Sequence, residues 1–281
     1  MHRVATATCS PTLLRRAAVG GSSGRSERAL SVYKQLQHNK TGLSYELDST
    51  LRDGHHNMKL FVTGFCRSIS SPVEQAHTFE SLRQAYAALE DALDAAPSGT
   101  RAARFWAQFQ GELRKAPALR DDVNMLGGFD APTPAAARYA DAIRAAANDG
   151  GDPADDGSRG DLLLAHAYVR YLADLFGGSF LGRPTQVALQ LKQPLRFYHT
   201  PDTIHLNRKD YIDTFYAALN DAGEAMDVGR RQALVNEARR AYKFNEAIYL
   251  ERPGFLLGAA VGVGRYVLGA TKEQLSMSGR R

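Results

Sequence analysis

Apolar side chains recur every three to four residues along most of the chain, which is the period of a helix buried on one face. Leu47, Leu51, His55 and Met58 trace a first helix from Ser44, with His55 and His56 near its middle. Lys59 to Ser71 reads as a second, through Leu60, Phe61, Val62, Phe65 and Cys66. Ser71-Pro72 opens a third that carries Phe79, Leu82, Tyr86, Leu89 and Leu93 and stops at Pro97. Residues 101–126 continue the pattern with a break at Pro117, and Ala135 to Ala147 is rich in alanine. Leu206 to Ala222 and Val228 to Leu250 are the last two periodic runs. No run of alternating apolar and polar residues reads as a strand and no internal repeat is visible, so the pattern predicts an all-α fold of roughly eight helices.

One stretch departs from this regularity. Asp161 can cap an apolar helix through Leu162, Leu163, Leu164 and Leu172, on which His166, Arg170 and Asp174 follow in steps of four and share a face. Gly177-Gly178 comes directly after them. Each glycine inside a helix costs about 0.8–1 kcal/mol relative to alanine, so the pair predicts a bend or a close approach to the backbone.

Composition adds compartment and domain limits. Hydrophobic residues at 44% and charged residues at 23% suit a globular chain with a sizeable core. The net charge of +5 is concentrated in residues 1–40, which hold seven basic side chains against Glu27 alone. The remainder is near neutral, which argues against a nucleic-acid partner. The start is rich in Arg, Ser, Thr and Ala and poor in acids, the pattern of a transit peptide for a mitochondrion or, alternatively, a plastid-type organelle. Of the two cysteines, Cys9 lies in that segment and leaves Cys66 without a disulfide partner. No stretch of ~20 apolar residues is present, so no clear transmembrane span is expected. The expected division is residues 1–40 as transit peptide or disordered segment, 41–252 as a helical domain, and 253–281 as a glycine-rich C-terminal tail. Residues 149–156 read as an exposed acidic loop inside the domain.

These features together resemble the heme oxygenase family. Ala165-His166-Ala167-Tyr168-Val169-Arg170-Tyr171-Leu172-Ala173-Asp174-Leu175-Phe176-Gly177-Gly178 matches its kinked distal helix. Leu47 to His55, followed by Phe61 and Phe65, matches its proximal helix. Glu112-Leu113-Arg114-Lys115, Leu119 and Asp122 match its middle helix, and Phe197-Tyr198, Leu219-Asn220, Glu237-Ala238 and Phe244-Asn245 its late helices. The resemblance implies a heme oxygenase-like fold with the pocket between proximal and distal helices, and heme as both substrate and cofactor. It also implies oxidative cleavage to biliverdin, carbon monoxide and ferrous iron, with a ferredoxin or reductase as electron donor.

By the same resemblance His55 is the iron ligand, with His56 as the alternative. Asp174, Arg170 and Tyr168 form the catalytic distal network. Gly177, Gly178, Ala173, Arg52 and Tyr216 line the cofactor. Read without the family, a helical histidine is more often a surface residue, and Asp174–Arg170 is a solvated ion pair contributing about 0.2–0.5 kcal/mol. Three departures from the family pattern support a second reading, a catalytically inactive member serving as an interaction or regulatory module with a protein partner. Ala173 and Phe176 replace the usual glycine and serine. Asp48, Ile212 and Tyr216 stand where the family places basic residues for the heme propionates, although Arg208 and Lys209 lie one turn from Ile212. The third departure is the acidic loop itself. Di-iron chemistry is set aside because no Glu-x-x-His pairs occur.

Overall fold

The computed structural model describes residues 41–278 apart from 53, 54, 130, 132 and 153, and excludes the side chains of 51–58. The described residues form helices and connecting turns, with no strand among them. In order the helices are α1 (Gly42–Arg52), α2 (His55–Ser68), α3 (Pro72–Asp94), α4 (Arg101–Leu113), α5 (Ala116–Met125) and α6 (Pro134–Ala147). They continue with α7 (Leu163–Ala173), α8 (Ser179–Leu189), α9 (Asp202–Leu206), α10 (Arg208–Glu224), α11 (Val228–Leu250) and α12 (Phe255–Ser278).

Local chemistry explains most of the boundaries. The Ser71 hydroxyl accepts from the Glu74 amide and Pro72 occupies the first turn, where its missing N–H leaves nothing unpaired. Thr100 and Asp227 cap α4 and α11 in the same way. Pro117 does not break a helix. It sits in the first turn of α5, and the break falls before it, at Arg114 and Lys115. Here Glu90 of α3 supplies the cap, accepting from the amides of Lys115 at 2.6 Å and Ala116 at 3.1 Å. Asp122, buried in α5, likewise holds the amides of Arg196 at 2.8 Å and Phe197 at 2.7 Å, fixing the connector that brings Phe197 and Tyr198 against α3.

Several expectations are corrected. Residues 53 and 54, which separate α1 from α2 and precede His55, lie outside the described residues, so the expected mid-helix place of His55 is not among them. The Leu206 to Ala222 run divides into the end of α9 and the body of α10. Asp161 does not cap α7, whose first flanking residue is Leu162. Its fully buried carboxylate is instead clamped by Arg101 at 2.6 Å and Arg230 at 3.2 Å. Arg101 also reaches Asp155 at 2.7 Å, and Arg230 reaches Asp149. The acidic loop is therefore the acid half of a clasp joining α4 and α11 to the start of α7.

The segment expected as a glycine-rich tail is α12, a helix of 24 residues. Gly254, at φ +71°, lets the chain turn out of α11 into it. Gly258, Gly262 and Gly269 face inward against Arg67, Cys66 and Val187. The helix thus lies across both α2 and α8, closing a small apolar cluster of Phe65, Cys66, Ile69, Ala188 and Ala259.

Candidate functional site

From Leu163 to Leu172 every residue of α7 is buried. Its polar side chains must therefore find partners inside the protein. His166 does so at Glu237 of α11, Nε2 to Oε1 at 3.0 Å, and Arg240 holds the other carboxylate oxygen at 2.7 Å. Burial opposes ionisation of Glu237, but His166 and Arg240 outweigh it and draw its pKa below the usual range. Arg170 donates to the Asn245 side chain and lays its guanidinium 4.5 Å from the centre of the Tyr86 ring.

Ala173 then emerges exposed, and the helix changes character. Asp174 to Gly178 form one π-turn, wider than an α-turn, before α8 resumes. Neither glycine flanks a break: the residues on both sides keep helical dihedrals. Their use is spatial. A Cβ built on Gly177 would meet nothing within 4 Å, and one on Gly178 would lie 3.4 Å from Oδ1 of Asp174. Ala173 and Gly177 therefore present a smooth strip of backbone to open space, with the Asp174 carboxyl beside it. A flat apolar ligand fits such a strip, whereas a larger side chain at Gly177 would occupy its place.

Asp174 is held from α3. The Tyr86 hydroxyl donates to its Oδ2, and Tyr86 is locked among Tyr171 at 5.7 Å, Phe197 at 6.0 Å and the Arg170 guanidinium. Burial pushes the Asp174 carboxyl above the ordinary carboxylate range, against the opposing pull of Lys115, Arg170 and the Tyr86 hydrogen bond. Burial also raises the Tyr86 hydroxyl well above its usual value, so it keeps its proton and donates. Lys115 is fixed by the Phe197 and His199 carbonyls at 3.3 and 3.4 Å. Tyr249 of α11 joins this turn to α2: its ring meets Phe61 edge-on at 5.7 Å and its hydroxyl lies in the field of Arg170 and Asp174.

The structure thus brings together Asp174, Arg170, Ala173, Gly177 and Gly178, but places two expected partners elsewhere. Tyr168 lies two residues from both His166 and Arg170, and residues two apart on a helix point to opposite sides. Its hydroxyl donates to Asp48 of α1 at 2.5 Å, away from Asp174. Tyr216 is buried in the field of Tyr168, in that same cluster with Tyr242. Asp48 is therefore occupied inside the fold. His55 lies in α2, but its side chain and those of His56 and Arg52 fall outside the described residues. Of the two basic residues near Ile212, Lys209 is taken by Asp213 at 2.7 Å. Arg208 donates to Ser179 at 2.9 Å and covers Phe180, immediately beyond the π-turn.

Tyr86, Asn245 and Lys115 are the residues that sequence reasoning did not assign to the site. Tyr86 carries the spacing of a core position, and it is one. The only signal was indirect: a buried Arg170 and Asp174 require polar partners, which lie 75 and 88 residues away in sequence.

Comparison with known proteins bears on the family and the fold. A sequence model of the heme oxygenase family matches residues 54–251. Heme oxygenase 1 of Synechocystis sp. is 34% identical over 104 residues, 37% of this chain and 41% of that protein. Heme oxygenase 2 of Mus musculus is 29% identical over 174 residues, 59% of this chain and 50% of that protein. The chain spans half or less of the length of these relatives. Among solved structures, cyanobacterial heme oxygenase-1 from Synechocystis sp. in complex with heme aligns with a TM-score of 0.64 at 23% identity, over 82% of this chain and all of that one. The heme oxygenase of Leptospira interrogans aligns with a TM-score of 0.61 at 21% identity, over 75% of this chain and all of that one.

Proposed function

The chain belongs to the heme oxygenase family, and from that premise we propose that it binds heme and cleaves it to biliverdin, carbon monoxide and ferrous iron. Molecular oxygen and electrons from a ferredoxin- or reductase-type donor would complete the reaction. The observation that carries this reading is the Tyr86–Asp174 pair beside the open Ala173–Gly177 strip. Heme, as substrate, supplies the redox-active iron and the ring that is cut. The chain supplies the rest.

His55 is the residue assigned to hold the iron, with His56 as the alternative. A neutral imidazole suits that role, and the family's proximal pattern surrounds His55. The small distal strip admits the ring face. Tyr86 fixes one carboxylate oxygen of Asp174, leaving Oδ1 toward Gly178 to exchange protons with water beside the strip. Arg170, anchored on Asn245 and stacked on Tyr86, keeps that pair in register. Arg208, at the end of the π-turn, is the cation that the geometry offers to a ligand carboxylate.

Hemin titrated into the full chain should give a Soret band that His55→Ala abolishes, and adding a reductant should convert bound heme to bile pigment. Intact heme with every donor tried would overturn the catalytic reading. One observation favours the inactive alternative: none of Asp48, Ile212 and Tyr216 carries a cation for the propionates, Asp48 is engaged by the Tyr168 hydroxyl, and Ile212 and Tyr216 are buried. Absence of a Soret band in the wild type would select it. The basic residues 1–40 support mitochondrial import, or import into a plastid-type organelle. Fluorescence microscopy of a C-terminal fusion, with and without those residues, separates these destinations.

A further inference from the structure

Tyr86 has a neighbour whose chemistry the reaction above does not use. Its ring lies 5.7 Å from that of Tyr171, and Tyr171 in turn stacks on Trp106 of α4 at 5.6 Å and 23°. All three rings are buried. Tyr and Trp give up a single electron far more readily than Phe. Rings in contact also exchange one faster than rings separated by a layer of aliphatic side chains. Phe197, which also meets Tyr86, therefore cannot serve. Among the described residues a continuous line of oxidisable rings runs from the Asp174 turn to α4.

The two ends of this line are built alike and the middle is not. Tyr86 donates to Asp174, and the Trp106 indole N–H donates to Asp94 at 2.6 Å, so each end has a carboxyl placed to take a proton as the ring is oxidised. A guanidinium lies over each end ring, Arg170 4.5 Å from the centre of Tyr86 and Arg114 5.3 Å from that of Trp106. A cation there opposes bare positive charge on the ring, so electron and proton must leave together. The Tyr171 hydroxyl is buried without a hydrogen-bond partner. It has nowhere to send a proton, so its ring passes an electron on and is not where an oxidation comes to rest. Trp106 stands one side chain from water: Asp94 is 41% exposed, and Arg114, paired with it at 2.5 Å, is 36% exposed.

We propose that Tyr86, Tyr171 and Trp106 form a one-electron path that carries oxidising equivalents from the ligand strip to the surface at Asp94. The path rests on the heme-binding reading, and its oxidant is a peroxide reduced at bound heme. Hydrogen peroxide takes two electrons and two protons to become two waters. In each passage Trp106 gives one electron inward and its indole proton to Asp94, which releases it to water, while a proton from water enters at the strip. A dissolved one-electron reductant of the ascorbate class returns a hydrogen atom to the indolyl radical, and two passages complete the balance. Without that reductant the radical combines with molecular oxygen, and Trp106 ends as hydroxytryptophan or kynurenine.

The full chain loaded with hemin is mixed with hydrogen peroxide in the absence of reductant, then frozen for electron paramagnetic resonance or digested for peptide mass spectrometry. Trp106 is the only tryptophan, so an indolyl signal and an oxidised tryptophan peptide are its own. Both are expected in the wild type and neither in the hemin-free chain. Tyr171→Phe removes a hydroxyl that has no partner and keeps the ring, so the fold and the Soret band should be retained. That variant should lose the Trp106 products and keep a tyrosyl signal from Tyr86. Equal Trp106 oxidation in wild type and Tyr171→Phe, or in the hemin-free chain, would overturn the proposal, because peroxide would then reach the indole directly. A wild type with a Soret band and no Trp106 product would overturn the path alone. A wild type with no Soret band would overturn the heme-binding reading and the path with it.

Discussion

Glycines cluster in the turn after α7 and in the helix α12, and an added methyl group meets opposite surroundings in the two. At Gly177 it would find nothing within 4 Å, whereas at Gly262 it would lie 1.7 Å from the Cys66 carbonyl oxygen and at Gly269 2.5 Å from that of Val187. Each glycine costs its helix about 1 kcal/mol relative to alanine. In α12 close backbone contact and the bonds from Arg265 to the Ser70 and Ala188 carbonyls offset that cost. In the π-turn no packing does, and the glycine leaves a surface empty. A helix glycine that closes a contact is structural, and one that opens a space invites a ligand.

The comparison can be broken at either end. Gly262→Ala should have the largest effect. The overlap is with backbone, which cannot rotate away, so a loss of about 3 kcal/mol or undocking of α12 is expected in urea melts and limited proteolysis. Next comes Tyr86→Phe, which strips the Asp174 carboxylate of its buried donor. Stability should fall by about 2 kcal/mol, and bile-pigment formation by about 10-fold.

Gly177→Ala should carry the opposite sign to Gly262→Ala. Thermal unfolding should show a gain of about 0.8 kcal/mol from helix propensity alone, while hemin affinity drops because the methyl group enters the open strip. A stability loss there would show that the strip is already filled.

The smallest effect is in pH dependence. Burial raises the folded-state pKa of Asp174, so the folded chain holds that proton more tightly than the unfolded one. The resulting stability is complete below the unfolded value of about 3.9 and is lost as pH rises through the folded value. Asp174→Asn should flatten this part of the stability–pH curve while keeping an acceptor for Tyr86. An unchanged slope would remove Asp174 from the buried titrating set.

Much of this was legible in the residues. Ser71-Pro72 announced α3, the Val228 to Leu250 period gave α11 its bounds, and the His166, Arg170, Asp174 spacing marked the face that does meet polar partners. What failed shares one cause: a side chain's partner is set by packing between helices. Asp161 looks like a cap and is an ion-pair centre because Arg101 and Arg230 converge on it. Tyr168 belongs to the family's distal pattern, yet α1 brings Asp48 to its far side. The glycines of 254–269 suggested a tail because their compensation comes from the carbonyls of α2 and α8, which no local window contains.

The clasp at the start of α7 also has a kinetic consequence. Its bonds join residues 54, 60, 69 and 81 positions apart, in a chain whose helices otherwise form from local contacts. Loop closure over such spans is entropically slow relative to helix growth. The head of α7 therefore settles only after α4 and α11 have formed and brought Arg101 and Arg230 to Asp161.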